Sequence, residues 1–165
     1  MLKSLLILCA FFTGASVVGF TQAAVRVEPP DLQGPRPLPK QTATAAVRDY
    51  LQSWQSLRAA FEQNRSDLLD PSFVGTAKDK LTDTIQQQTA LGISTHYQDS
   101  AHDIQIVFYS PEGLSIELID KVEYDVQVLD HRRIKTIQNV SARYVIVLTP
   151  AEVRWRVRVF QAEPQ

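Results

Sequence analysis

The stretch Val153-Arg154-Trp155-Arg156-Val157-Arg158-Val159 alternates apolar and cationic residues without a break. Successive side chains of a β-strand point to opposite faces, so a period of two predicts a strand with one buried face and one wet face. Val153, Trp155, Val157 and Val159 are expected to point inward. Arg154, Arg156 and Arg158 are expected to face solvent or a partner. Such a strand implies a one-sided sheet covering a core, and it names no reaction.

Working outward, the residues before it repeat the pattern. Val140, Ala142, Tyr144, Ile146 and Leu148 share one phase, followed by a Thr149-Pro150-Ala151 turn. Before them Ile116, Leu118, Asp120, Val122, Tyr124, Val126 and Val128 share a face, ending at an Asp130-His131-Arg132 turn. A first strand holds Ile104, Ile106 and Phe108 and closes at Ser110-Pro111-Glu112-Gly113. Short turns between long strands predict antiparallel hairpins from about Gln98 onward.

The N-terminal half has a helical period instead. Val47, Tyr50, Leu51, Trp54, Leu57 and Phe61 recur at three- and four-residue spacing, with Thr42 or Thr44 as N-cap and Asn64 as terminator. A second helix carries Ala77, Leu81, Ile85 and Gln88 on one stripe with Leu91 close by, opened by Thr76 and Asp79 and stopped at Gly92. Helices first and a strand meander afterwards predict an α+β fold, with helices packed on a four-stranded antiparallel sheet.

This order of elements over the domain, with the Tyr50-Leu51-Gln52-Ser53-Trp54 helix and the Trp-bearing closing strand, resembles the nuclear transport factor 2-like superfamily, which includes ketosteroid isomerase, the SnoaL-like polyketide cyclases and scytalone dehydratase. The resemblance implies a curved, cone-shaped sheet wrapped on a helix, with a pocket at the open end. It also implies that two copies can pair through the outer face of the sheet. Many members are not enzymes, and a fold licenses no activity by itself.

The first residues read as a targeting segment. Lys3 precedes an apolar run from Leu5 to Phe20, and Thr21-Gln22-Ala23 offers small residues for cleavage. The run is short for a spanning helix, so residues 1–24 read as an export signal or an uncleaved N-terminal anchor. Bulky Leu8 argues against a lipoprotein site at Cys9. Five prolines between Glu28 and Lys40 favour extended geometry, and residues 25–41 read as a semi-rigid linker. The domain is expected over residues 42–162. Its location is expected to be extracytoplasmic: periplasmic, secreted or membrane-tethered.

Composition excludes several classes. The net charge of −1 over 165 residues argues against a nucleic-acid binder, which would be clearly basic. The single cysteine lies in the leader, so disulfides and thiol chemistry are excluded for the exported chain. No phosphate loop or serine elbow occurs. His96, His102 and His131 have no metal-ligand spacing and read as exposed loop residues, and neither metal nor cofactor is expected. Charge is segregated: Asp99 to Asp130 is acidic, and the residues from His131 onward are basic. Cross-strand pairing of Arg154, Arg156 and Arg158 with Glu117, Glu123 or Asp125 is the expected structural use. A partner surface of these three arginines with Arg143 is the functional use.

Asp120 is the most informative single residue. Its phase places it between Leu118 and Val122 on the inward face, where burial would raise its pKa toward a general acid or base. A bulge near Ile119 would turn it outward instead. The isomerase-like members of the superfamily use pocket carboxylates, which implies Asp120 as base with Tyr50 and Tyr144 as hydroxyl donors and Trp54, Leu118 and Val122 as pocket lining. Two functions follow. The first is an exported, non-enzymatic module that binds a partner protein or a small apolar ligand. The second is a small-molecule isomerase, dehydratase or cyclase using Asp120.

Overall fold

The computed structural model describes residues 22–32 and 34–163. Most of the leader expected at residues 1–24 lies outside the described residues. The chain runs β1 (Ala24–Val27), α1 (Lys40–Gln63), a short 3-10 turn (Ser66–Leu69), α2 (Gly75–Ala90), β2 (Ile93–Tyr109), β3 (Ile116–Asp130), β4 (Arg133–Pro150) and β5 (Trp155–Ala162). The architecture is α+β, with the two helices on one face of a curved sheet. Sheet order follows chain order from β1 to β5.

The four C-terminal strands pair antiparallel, as the alternation predicts. Register shifts lie between Asp99 and Ala101, Ile106 and Phe108, Val128 and Leu129, and Val147 and Leu148. Each extra residue locally increases twist, and together they bend the sheet around α1. The β3–β4 hairpin turns on His131 and Arg132 at φ 47° and 64°. Two positive φ values give the mirror-image turn whose twist matches paired strands.

The helix α1 explains the core. Ala46, Tyr50, Trp54, Leu57, Ala60 and Phe61 are buried on the sheet side, and full burial of a large apolar side chain contributes roughly 1.5–3 kcal/mol. Asn64 ends the helix in the left-handed conformation and donates from its amide to the Ile93 carbonyl at 2.8 Å. The start is earlier than the expected Thr42 or Thr44: Pro39 stands in extended geometry before Lys40, with no side-chain cap. Proline fixes φ and fits a helix entry without needing a donor. On α2, Ala77, Ile85 and Gln88 are buried as the stripe predicts, whereas Leu91 is 73% exposed.

Two differences from the sequence reading concern the ends. The sheet has a fifth strand, because Ala24–Val27 pairs parallel with Ala101–Ile104. The proline-rich residues then continue along the same edge: the amides of Glu28 and Asp31 donate to the carbonyls of Ile104 and Ile106 at 2.8 and 2.9 Å. Leu32 and Leu38 pack on the core, and the Arg36 guanidinium lies 4.9 Å over the Tyr109 ring. The described residues of the expected linker lie along the domain as a strap. Extended proline geometry is also what a sheet edge accepts, since an edge position leaves one N–H row unused.

The second difference is in the closing strand. Its alternation holds only at its centre, where Val157 is buried, as part of the strand Trp155–Ala162. Val153 is 83% exposed, before the strand begins. The shift at Val147/Leu148 then places Phe160 opposite inward Ile146, and Val159 opposite outward Val147. An inserted residue reverses the phase of everything after it.

Candidate functional site

The inner face of β3 carries Asp120 into the core, with Leu118 and Val122 on either side, and all three are 0% exposed. No register shift falls at Ile119, so the outward alternative is not realised. The Tyr50 hydroxyl, from α1, donates to Asp120 Oδ2 at 2.7 Å. His102 Nδ1, from β2, lies 2.7 Å from the same oxygen. The backbone N–H of Asp103 donates to Oδ1 at 3.2 Å. The network continues in both directions. Trp54 Nε1 donates to the Tyr50 hydroxyl at 2.9 Å, His102 Nε2 meets Asp99 Oδ2 at 3.2 Å, and Arg58 Nη1 donates to Asp99 Oδ1 at 2.5 Å.

Both ring nitrogens of His102 face carboxylates, which requires both to be donors, so the ring is an imidazolium. Burial opposes that charge, but the hydrogen bonds and charges of Asp120 and Asp99 outweigh it and push the His102 pKa up to about 9. The same burial, with Asp120 alongside, raises the Tyr50 phenol well above its ordinary value, so it remains a donor. Burial raises Asp99 too, but the hydrogen bond from His102 and the charge of Arg58 prevail and hold it below the usual carboxylate range. Asp120, His102, Asp99 and Arg58 therefore form an alternating row of charges with no net excess. That arrangement satisfies buried ions in a site where each alone would cost several kcal/mol.

His102 was read from sequence as an exposed loop residue. It is instead 2% exposed on β2. The signal was available: His102 shares the phase of Ile104 and Ile106, and its pairing residue on β3 is Val122. Extending the first strand back past Ile104 would have found it.

The other candidates are distributed differently. Tyr144 is on the inner face of β4, but its hydroxyl pairs with that of Tyr124 at 2.8 Å, and its ring stacks on Phe160 at 4.7 Å. Trp54 packs its indole against His102, Tyr124, Tyr144 and Phe160 at centroid distances of 5.3 to 6.0 Å. Trp54, Leu118 and Val122 are thus core, and the cone is filled by aromatic rings where a pocket was expected.

Two of the four arginines expected on a partner surface make side-chain contacts within the chain. Arg143 pairs with Glu163, and Arg156 donates to the backbone carbonyls of Asp70 and Phe73. The Arg154 carbonyl closes the Ala151 turn, and the Arg158 carbonyl accepts from Thr76. Pairing of Arg154, Arg156 and Arg158 with Glu117, Glu123 or Asp125 does not occur among the described residues, because β4 separates β3 from β5. The described residues hold no cluster that could bind a metal.

A cavity of about 680 Å³ opens elsewhere, between α1 and the inner face of β1. Its walls include Val25, Val27, Pro30, Leu38, Val47, Leu51 and Ile106, and Lys40, Arg48, Gln52, Gln55 and Glu28 stand among them. Val25 and Val27 are 45% and 51% exposed. The groove exists because β1 extends the sheet one strand past the edge that α1 covers. No local period in the sequence marks this groove, because the residues of β1 repeat no pattern and read as the approach to a linker.

Comparison with known proteins gives the frame for this geometry. No protein-family model matches the chain, and no curated protein is similar to it. Solved structures do match. The intermembrane space region of the chloroplast protein ARC6 superposes with a TM-score of 0.64 at 15% identity, over 79% of this chain and 100% of that one. A candidate scytalone dehydratase from Novosphingobium aromaticivorans gives 0.52 at 12% identity, over 76% and 89%. This chain has the nuclear transport factor 2-like fold. The Kfla4162 protein of Kribbella flavida adds a third match, at 0.51 and 9% identity over 73% and 90%. Identities this low carry the fold and no chemistry. Within the nuclear transport factor 2-like fold, the open end of the cone is the expected binding place, and in this chain aromatic side chains occupy its interior.

Proposed function

We propose that this chain is a non-enzymatic binding module that acts outside the cytoplasm and takes an apolar ligand in the groove between α1 and β1. The observation that carries this reading is the contrast in access. The polar centre of the cone is sealed, with Tyr50 and Asp120 at 0% exposure, while an apolar groove of ligand-binding size stands open beside it. Location outside the cytoplasm rests on the leader-like residues 1–24, and a region of ARC6 with the same fold is described as lying in an intermembrane space. No helix among the described residues is long and apolar enough to cross a membrane.

Pairing of two copies is part of the proposal. The register brings Phe108, Glu117, Val147 and Val159 into one outward cross-strand row and Gln105, Ile119, Val145 and Gln161 into the next, so apolar side chains cross the middle of this face. This row pattern supports a sheet-face dimer, and light scattering that shows only monomer at micromolar concentration would remove that part.

The isomerase, dehydratase or cyclase reading draws on the Tyr50–Asp120–His102 contacts, which are a carboxylate between two donors. A general base must reach the proton it takes. Here Oδ2 is occupied by Tyr50 and His102, and Oδ1 by the Asp103 amide. The network is better suited to fixing α1 on β2 and β3.

The neutral fluorophore N-phenyl-1-naphthylamine tests the groove. It is expected to brighten on binding to the full chain and to lose that signal with Val27→Glu, a change at an exposed strand position that leaves the unfolding midpoint unchanged. Binding unaffected by Val25→Glu and Val27→Glu together overturns the groove as the site. Turnover of an isomerase or dehydratase substrate by the full chain would establish the enzyme reading instead.

A further inference from the structure

We infer that the groove between α1 and β1 selects a long-chain carboxylate, with the acyl chain along Val25, Val27, Leu38, Val47 and Leu51 and the carboxylate at Lys40 and Arg48. The inference rests on the proposal that this groove binds an apolar ligand, and adds the sign and place of the ligand's charge.

Three observations carry it. The first is shape. The wall supplied by α1 runs from Lys40 to Gln55, which at 1.5 Å rise per residue is a trough about 22 Å long. It is bounded on the other side by a single strand of four residues. The strand spans only about 13 Å, and Pro30 and Leu38 continue its wall, so the groove is elongated and suits an extended chain better than a compact ring system.

The second is charge. Lys40 is exposed and makes no ion pair among the described residues, so its ammonium is free to meet a ligand. Arg48 is also exposed and, among the described residues, bonds only its chain neighbour Asp49, through Nε and Nη2 to Oδ1 at 3.0 and 2.9 Å. The single acid of the lining, Glu28, is held by Arg26 at 3.0 Å. That same Arg26 also holds Asp103, at 2.6 Å, on the outer face. Among the described residues Lys40 therefore stands unpaired on one wall, Arg48 keeps unused donors beyond its pair with Asp49, and Glu28 shares Arg26 with Asp103 on the other side. An ionised carboxylate reaching Lys40 and Arg48 gains a charge-assisted hydrogen bond, which a hydroxyl of equal chain length cannot match.

The third is the order of polarity along α1. Lys40 lies at one end of the trough and Arg48 near its middle, and beyond them the far end offers only neutral Gln52 and Gln55. The headgroup end is thus set by the protein, and a chain laid along the groove has one favoured direction. The long stems of Lys40 and Arg48 add apolar surface beneath their charges, as such side chains do where an apolar surface meets water.

The test is displacement of N-phenyl-1-naphthylamine from the full chain by laurate and by dodecan-1-ol at neutral pH. Laurate is expected to displace it at a concentration lower by about tenfold or more, the effect of one charge-assisted contact. In Lys40→Gln/Arg48→Gln that advantage is expected to disappear while dodecan-1-ol is unaffected. Both positions are exposed, so the unfolding midpoint is expected to be unchanged. Equal displacement by the two compounds in the unmodified chain overturns the inference and leaves an uncharged apolar site. A laurate preference that survives the double substitution overturns the placement of the carboxylate. If the fluorophore itself fails to bind, because the groove is closed by the chain's own N-terminal segment or for any other reason, the underlying reading falls and this inference with it.

Discussion

At the scale of the residue, Asp120 shows how parity and environment divide the work of an inference. Its inward phase was readable from Leu118 and Val122, and so was a buried carboxylate in need of partners. What the phase could not supply was their identity. Tyr50 is 70 positions away and His102 is 18 away, so only the folded chain brings them to one oxygen. Removal of the carboxylate leaves a buried imidazolium and a buried hydroxyl without their acceptor. Asp120→Ala is therefore expected to lower folding stability by roughly 3–5 kcal/mol, whereas Tyr144→Phe, which removes one hydroxyl from a half-buried pair, is expected to cost about 1 kcal/mol. Urea denaturation of the two variants would measure the contrast. Equal, small losses would mean that the Asp120 network does not hold the core together.

At the scale of the element, the regular strands and helices followed from pattern, and the irregular segment did not. The inner faces of β3 and β4 and the buried stripe of α1 were legible because each repeats its period several times. Residues 24–38 repeat nothing. Their prolines dictate extended geometry, which serves a free spacer and a sheet edge equally well. The choice was made by Glu28 and Asp31, whose N–H groups find the carbonyls of Ile104 and Ile106. Hydrogen exchange is expected to show protection at Glu28 and Asp31 comparable to that of strand amides in β2. Exchange at the rate of an unstructured peptide would return this segment to the role of a linker. The closing strand illustrates the opposite hazard. Seven residues in strict alternation suggest one uninterrupted face, but one extra residue opposite Val147 and Leu148 moves Val159 outward and Phe160 inward.

At the scale of the whole molecule, the charged row at the core links folding to pH. The folded state raises the His102 pKa from 6.5 to about 9, so between those values the folded chain holds a proton that the unfolded chain has released. Stability from this group is complete below about pH 6.5 and is lost as pH rises through about 9. The expected loss is on the order of 3 kcal/mol. Unfolding free energies across that window would test it, with His102→Gln as the reference that flattens the slope. Stability that rises over the same range would contradict an imidazolium at this position. The sequence by itself determined the α+β class, the order of the two helices and the four C-terminal strands, and the buried faces of β3 and β4, because those depend on local period and composition. Tertiary structure alone decided that the cone is filled, that Asp120 is sealed by Tyr50 and His102, and that an open groove lies between α1 and β1. Each of those depends on residues distant in the chain meeting across the sheet, and no local period records such a meeting.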